Sequence, residues 1–367
     1  MTAPDLEIED LSLRLGAFRL RNLNLTLGAG EILAILGPNG AGKSVTLEAI
    51  AGFHRQETGQ IRIRRRNVTT LPPEQRNVGL MFQNFGLFPH LTVAQNVAFG
   101  LRTRHRPSAS AGMWTEIAAL VAQFGIAHLK DRRPPALSPG EKQRVALARA
   151  FATHPDLFLF DEPFSALDTR TREALRGELL AFLRRAQTAA IIVTHDHTDA
   201  MTLADKVAVL RHGEIIQSGS AAEIFHKPKD VFVAEFMGME NLLEGSVSGE
   251  ADGVRAVAIG GQTLYSASGS AEWRDAPRVR VGIRAEDIDV FPALPSRSDR
   301  RGEINLIAAR IVAITRSRPL CEIAFDCGFP LKAYAMARQI REMNLTVGGE
   351  AHLEIAAGAV HLMPTAK

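Results

Sequence analysis

The stretch Gly37-Pro-Asn-Gly-Ala-Gly-Lys-Ser44 decides the fold class. It fits the spacing G-x-x-x-x-G-K-[ST] and follows the apolar run Glu31-Ile-Leu-Ala-Ile-Leu36. An apolar-periodic stretch from Lys43 to Ala51 comes next, stopped by Gly52. Strand, glycine-rich turn and helix in that order make a phosphate cradle. The glycines let the backbone curl so that successive N–H groups face an anion, and the helix start adds its positive dipole end. Gly37, Pro38, Asn39, Gly40, Ala41, Gly42, Lys43, Ser44 and Val45 are the expected ATP contacts. Lys43 would reach the β- and γ-phosphates and the Ser44 hydroxyl would bind Mg²⁺. A glycine turn without chemistry would not need all three elements together.

Working outward, Leu157-Phe-Leu-Phe-Asp-Glu162 is four apolar residues ending in two carboxylates, as where a buried strand delivers acids to the C-terminal edge of a parallel sheet. Asp161 is placed for a magnesium shell, and Glu162 for the water that attacks the γ-phosphate. Further buried strands are expected at Ala190 to Thr194 and Val207 to Leu210, separated by helical patterns such as Thr171 to Arg185. The fold class is therefore an α/β P-loop NTPase with a mostly parallel sheet. Residues 84–156 read as a helical insertion, with helices over Val93 to Leu101 and Trp114 to Phe124 and breakers at Pro107, Pro134 and Pro135. From residue 238 short alternating runs take over, such as Val279 to Val290 and Ile304 to Ile314. They predict a first domain over 1–237 and a small all-β domain over 238–367, with a loop at Pro292 to Arg301.

Bulk composition agrees with two folded domains. The chain has 367 residues, 46% apolar and 23% charged, with a net charge of +3. Arg64, Arg65 and Arg66 lie between expected strands with no aromatic residues to stack bases, so a solvated hairpin is expected and no nucleic acid. Cys321 and Cys327 would share one face of an extended segment and are read as buried thiols. Met1 to Leu15 lacks the pattern of a secretory leader, and no apolar run is long enough to span a bilayer. The expected location is the cytoplasmic face of the membrane, as a peripheral subunit held by partners.

The type of NTPase is decided by Leu137-Ser-Pro-Gly-Glu-Lys-Gln-Arg-Val-Ala-Leu-Ala-Arg-Ala150, which resembles the signature motif of ABC ATPases. The resemblance implies a head-to-tail dimer with a second copy, in which Ser138 and Gly140 of one copy contact the γ-phosphate held by the other. Within it, Gln83 in Met81-Phe-Gln-Asn84 resembles the Q-loop glutamine, a magnesium and water sensor. Ser165-Ala-Leu-Asp168 resembles the D-loop, and His195 in Val193-Thr-His-Asp196 the switch histidine. The catalytic set implied is Glu162, His195 and Gln83, with Ser44, Gln83 and Asp161 around Mg²⁺. Two features depart from the family. Pro139 stands where glycine is usual, removing one N–H donor while suiting the first turn of a helix. The adenine-stacking aromatic is missing; Arg14 could stack by its guanidinium plane, and Phe18 either supplies a ring or packs into the sheet.

The branch follows from the rest of the chain. No fused membrane helices, second cassette or long coiled coil are present, and Gly282-Ile-Arg-Ala-Glu-Asp-Ile288 resembles the accessory β-domain of importers. Residues Gly302 to Pro364 resemble a transport-associated, OB-like (TOBE) domain, with either a regulatory or a purely structural role. Strings such as Leu15-Gly-Ala-Phe-Arg-Leu20 and Thr70-Leu-Pro-Pro-Glu-Gln-Arg76 resemble molybdate and tungstate importer ATPases, while sulfate, ferric-ion and polyamine importers share much of them. The partners implied are transmembrane permease subunits and, indirectly, an extracytoplasmic solute-binding protein. Gln83 to Arg102, with Phe85, Leu87, Phe88 and Pro89, either receives the permease or packs within the helical insertion. A soluble regulatory or nucleic-acid-linked ATPase is the competing class.

Overall fold

The computed structural model describes residues 4–104, 110–165, 167–251, 253–267, 278–294, 303–316 and 320–365. Pro107, Ala166 and most of the expected loop at 292–301 lie outside the described residues, as does Gly302. The chain divides into two compact units, Met1–Ala221 and Ala222–Lys367.

The first unit is built on a six-stranded sheet. Strand Ile32–Leu36 lies between Ala190–Val193 and Lys206–Arg211, parallel to both. Ala190–Val193 pairs in parallel with Leu157–Asp161, and that strand with Val78–Met81. Glu214–Ser220 closes the far edge antiparallel to Lys206–Arg211. The continuous apolar runs are explained by burial on both faces. Leu33, Ile35, Leu157, Leu159, Ile191 and Val193 point to one core, and Ile32, Phe158, Phe160, Ala190 and Ile192 to the other, following the period of two.

The first of these cores is covered by a four-stranded antiparallel sheet, Leu6–Leu15 and Phe18–Leu27 with Thr58–Ile63 and Arg66–Asn67. The sequence reading assigns no elements before Glu31. Leu11, Leu13, Leu20, Leu23, Leu25 and Leu27 all contribute to this core together with Leu47 and Ile50 of helix Lys43–Ala51. Arg64 and Arg65 form the turn into Arg66–Asn67, with Arg64 3.0 Å from Asp156. The opposite core is closed by helices Val93–Arg104, Ser110–Gln123, Pro139–Ala152 and Thr169–Ala186.

The second unit holds two five-stranded antiparallel sheets. Val279, Val281 and Ile283 of one sheet share a core with Ile307, Ile323 and Leu353 of the other, an all-β arrangement compatible with the OB-like class. The expected Val279 to Val290 strand is broken in two, Val279–Ile283 and Ile288–Phe291, by a 3₁₀ turn at Ala285–Asp287. Cys321 and Cys327 are buried free thiols, and burial pushes Cys327 up to about 12.

The division at 221/222 precedes the expected 237/238 because two short helices, Ala221–His226 and Val231–Phe236, pack with the β-unit. Arg284 is buried, donates to the carbonyls of Phe225 and Met237, and stacks 3.2 Å from the centre of the Phe225 ring. These bonds fasten the helices to the strand end at Ile283.

Candidate functional site

Four neighbouring parallel strands deliver the expected site residues to one edge of the sheet. In spatial order, Ile32–Leu36 runs into Gly37, Ala190–Val193 into His195, Leu157–Asp161 into Glu162, and Val78–Met81 into Gln83. C-terminal strand edges are where open α/β sheets bind ligands.

The loop at the first strand is shaped by its glycines. A Cβ on Gly37 would lie 2.3 Å from the Leu210 carbonyl oxygen, so the backbone approaches the neighbouring strand too closely for a side chain. Gly42 has φ 105°, and a Cβ there would meet the Phe18 ring at 2.4 Å. The Ala41 N–H donates to the Pro38 carbonyl, closing the turn. No side chain caps the helix that starts at Lys43, so its first N–H groups are directed at the loop's hollow. Lys43 is buried and donates to the carbonyls of Gly37 and Pro38 at 2.7 and 3.0 Å. Burial pushes its ammonium pKa down, while Glu162 and then Asp161 pull it up.

Asp161 is part-buried, with one carboxylate oxygen enclosed and lacking a hydrogen-bond partner. Burial raises its pKa; the Ser44 hydroxyl bond opposes this, and Glu162 and Glu48 add to it. A hydroxyl and an underused carboxylate oxygen side by side form a hard-oxygen donor set that suits Mg²⁺, which prefers one or two protein oxygens and completes its shell with water and phosphate. Among the described residues there is no cluster of three or more His, Cys, Asp or Glu that would form a dedicated cage.

Glu162 turns out of its strand with φ 46°, and its N–H donates to the Val193 carbonyl. Its carboxylate is the meeting point of the site. Gln83 Nε2 donates to one oxygen at 3.0 Å, and His195 Nδ1 stands 3.3 Å from the other. Gln83 and His195 are exposed whereas the Glu162 side chain is only 15% exposed. A fixed carboxylate flanked by a carboxamide and an imidazole can orient water and accept its proton.

Ser138 and Gly140 open the helix Pro139–Ala152. Ser138 Oγ accepts from Glu141 N at 3.3 Å and Glu141 Oε2 accepts from Ser138 N at 2.7 Å, a reciprocal capping box. That backbone hydrogen bond holds the Glu141 carboxyl below its ordinary range. Pro139 occupies the first helical position, where its missing N–H breaks no intrahelical bond. Asp168 caps helix Thr169–Ala186 through Thr171 N at 3.1 Å. Phe18 is partly buried against the core, its ring on Gly42, and Arg14 donates to its own turn at Gly16.

The sequence reading omits the network behind His195. Asp196 caps helix His197–Leu203 and accepts from Arg172 at 2.8 Å, while the buried Asp199 pairs with Arg176 and accepts from Thr194. The signal was present: Asp196 and Asp199 frame a helix start, and Arg172 and Arg176 are four residues apart on one helix. Of the aromatic stretch, Phe85 and Leu87 pack on the helical core. Phe88 instead lines a groove of about 340 Å³ with Phe53, Phe82, Phe99 and Arg149.

Comparison with known proteins follows the same lines. A family model described as "ABC transporter" matches residues 20–165. The molybdate/tungstate import ATP-binding protein WtpC of Pyrococcus horikoshii is 36% identical over 360 residues, covering 98% of this chain and 100% of that one. The sulfate/thiosulfate import ATP-binding protein CysA 2 of Chromobacterium violaceum is 41% identical over 288 residues, covering 78% and 76%. Among solved structures, the dimeric post-hydrolysis state of the ATP-binding cassette MJ0796 bound to ADP and Pi matches with TM-score 0.54 and 27% identity, over 59% of this chain and 98% of that one. With a phosphate cradle, a three-residue cluster on the adjoining strand ends and a relative matched along its whole length, this chain belongs to the ABC transporter family as an ATP-binding, ATP-hydrolysing subunit.

Proposed function

We propose that this subunit powers an importer for an oxyanion of the molybdate and tungstate class, with Glu162 as the residue that activates water. The observation that carries the catalytic part is the convergence of Gln83 and His195 on the Glu162 carboxylate, two strands from the loop of Lys43. In this reading the backbone N–H groups of Asn39, Gly40, Gly42, Lys43, Ser44 and Val45 and the Lys43 ammonium hold the ATP phosphates. Lys43 exchanges its bonds to the Gly37 and Pro38 carbonyls for phosphate oxygens. His195 contacts the γ-phosphate and Gln83 orients the water whose proton Glu162 accepts. Ser44, Asp161 and Gln83 would hold Mg²⁺, which when bound neutralises phosphate charge.

Ser138 and Gly140 serve the γ-phosphate of a second copy, and Asp168 lies on the loop between the two sites. Support comes from the helix start that these residues open, where the Gly140 N–H is left for an anion once the capping box has taken those of Ser138 and Glu141, and from the dimeric cassette among the similar structures. ATP would close the dimer, and hydrolysis would open it and pass the motion to permease subunits. The groove of Phe53, Phe82, Phe88 and Phe99 beside the Gln83 loop is the docking surface we assign to them. Such a subunit works at the cytoplasmic face of the membrane, with the solute delivered to the permease by an extracytoplasmic binding protein. Among the described residues no helix is long and apolar enough to cross a membrane. The cargo reading rests on the WtpC relative; the ATPase has no need to touch the solute.

Glu162→Gln tests the mechanism. The variant should bind ATP and accumulate as an ATP-bound dimer while turnover falls by about 100-fold or more; undiminished hydrolysis would remove Glu162 from its role. For the cargo, ATPase activity of the assembled transporter and its binding protein is compared with molybdate, tungstate, sulfate, ferric ion and spermidine. Stimulation by sulfate, iron or spermidine alone would overturn the oxyanion class we name.

A further inference from the structure

Arg149 stands in the last turn of helix Pro139–Ala152, the helix capped at its start by Ser138. Its guanidinium crosses to the loop after Gln83. One nitrogen donates to the Gly86 carbonyl at 2.6 Å and another to the Phe85 carbonyl at 2.7 Å. Both acceptors belong to left-handed residues, Phe85 at φ 64° and Gly86 at φ 55°. Left-handed backbone is unfavourable for phenylalanine, so the conformation needs outside support. The turn it closes is the one that presents the glutamine: Phe85 N donates to the Phe82 carbonyl at 2.9 Å, leaving Gln83 and Asn84 as the central residues. Gln83 then reaches Glu162 at 3.0 Å. The same guanidinium lies 5.6 Å from the centre of the Phe88 ring, on the wall of the aromatic groove.

We propose that Arg149 is a positioning residue for ATP hydrolysis, which locks the Phe82–Phe85 turn and thereby sets the reach of Gln83 to Glu162. A planar guanidinium offers two donors in a fixed fork that fits two successive carbonyls, whereas an ammonium is a point charge that fixes neither their plane nor their spacing. The side chain ties three parts together: the helix begun by Ser138, the glutamine turn and the groove. The proposal rests on the reading that Gln83 and Glu162 act in hydrolysis.

The test is a double-mutant cycle in the full chain with Arg149→Met, Arg149→Lys, Gln83→Ala and their combinations. Arg149→Met should lower kcat by about tenfold with KM for ATP changed by less than about twofold, and Arg149→Lys should fall between it and the unmodified protein. Combined with Gln83→Ala, either change should add almost nothing, because both act through one contact. Independently of activity, amide hydrogen exchange over residues 82–88 should accelerate while that of helix Lys43–Ala51 stays unchanged. If Arg149→Met does not fold, the cycle is read from Arg149→Lys. Multiplying losses in the double variant, or unchanged exchange over 82–88, would overturn the proposal alone. Unimpaired turnover of Gln83→Ala would remove Gln83 from the mechanism, and the proposal with it.

Discussion

Asp161→Asn should stabilise the nucleotide-free protein while abolishing its chemistry. One Asp161 oxygen is buried without a partner, and its pKa is raised by burial, with Glu162 and Glu48 adding to that and Ser44 and Lys43 opposing. A group whose folded pKa lies above its unfolded value contributes stability that is fully present below the unfolded pKa and is lost as pH rises through the folded pKa. Near neutral pH the ionised carboxylate is therefore a net cost to the folded state. An orphaned buried oxygen costs about 1–3 kcal/mol. Asp161 is partly exposed, and asparagine keeps an oxygen for Ser44 but sets an unpartnered Nδ2 where the orphaned oxygen was, so only the cost of the charge is recovered and the gain belongs at the low end, about 1–1.5 kcal/mol. For a unit of this size that is a rise of about 2–6 °C in Tm. Lys43 loses one counter-charge but keeps Glu162, the larger of its two attractions, and its bonds to Gly37 and Pro38. The assay is thermal unfolding of both proteins without nucleotide at about pH 8 and at successively lower pH, along which the difference should narrow as the carboxyl gains its proton. A lower or unchanged Tm at the higher pH, or a gain that does not respond to pH, would refute the reasoning.

Two further substitutions probe the phosphate sites. Gly42→Ala brings a Cβ within 2.4 Å of Phe18 on a residue at φ 105°; calorimetric ATP affinity should fall at least about tenfold. Adding Phe18→Ala removes the closest contact but leaves Leu20 Cδ2 at 3.0 Å and the backbone cost of about 1–2 kcal/mol, so recovery should be partial, and full recovery would show that the left-handed backbone carries no cost. Pro139→Gly restores an N–H at the first position of a helix whose Ser138–Glu141 cap is untouched. In the Glu162→Gln background it should tighten the ATP-dependent dimer by about fivefold, read by analytical ultracentrifugation; a weaker dimer would show that the fixed φ of Pro139 matters more than the missing donor.

Local chemistry made much of the site legible. The loop at 37–44 needs its glycines within one turn, and the acids at 161 and 162 follow a run apolar enough to be buried on both faces. The leucine alternation at 11, 13, 20, 23, 25 and 27 also stood in the sequence, but β-bulges interrupt its register near Leu11 and blurred the period. Arg149 could not be singled out, because an arginine on a helix reads as a solvated face until the carbonyl it meets is known. The two short helices at 221–236 belong with the β-unit because of Arg284, a contact spanning about sixty residues that no local pattern encodes.

The sequence by itself determined the strands and helix around the loop at 37–45 and which residue types follow them, since these depend on neighbours a few positions away. Only the tertiary structure decided their order in space. Along the chain the site runs from the Lys43 loop to Gln83, Glu162 and His195, whereas across the sheet His195 lies next to the loop, with Glu162 and then Gln83 beyond it. Parallel strands pair through crossovers many residues long, so which strands become neighbours is settled by packing of the two cores rather than by any local signal. The direct adjacency of these three strands puts the Glu162 carboxylate between the glutamine and the histidine.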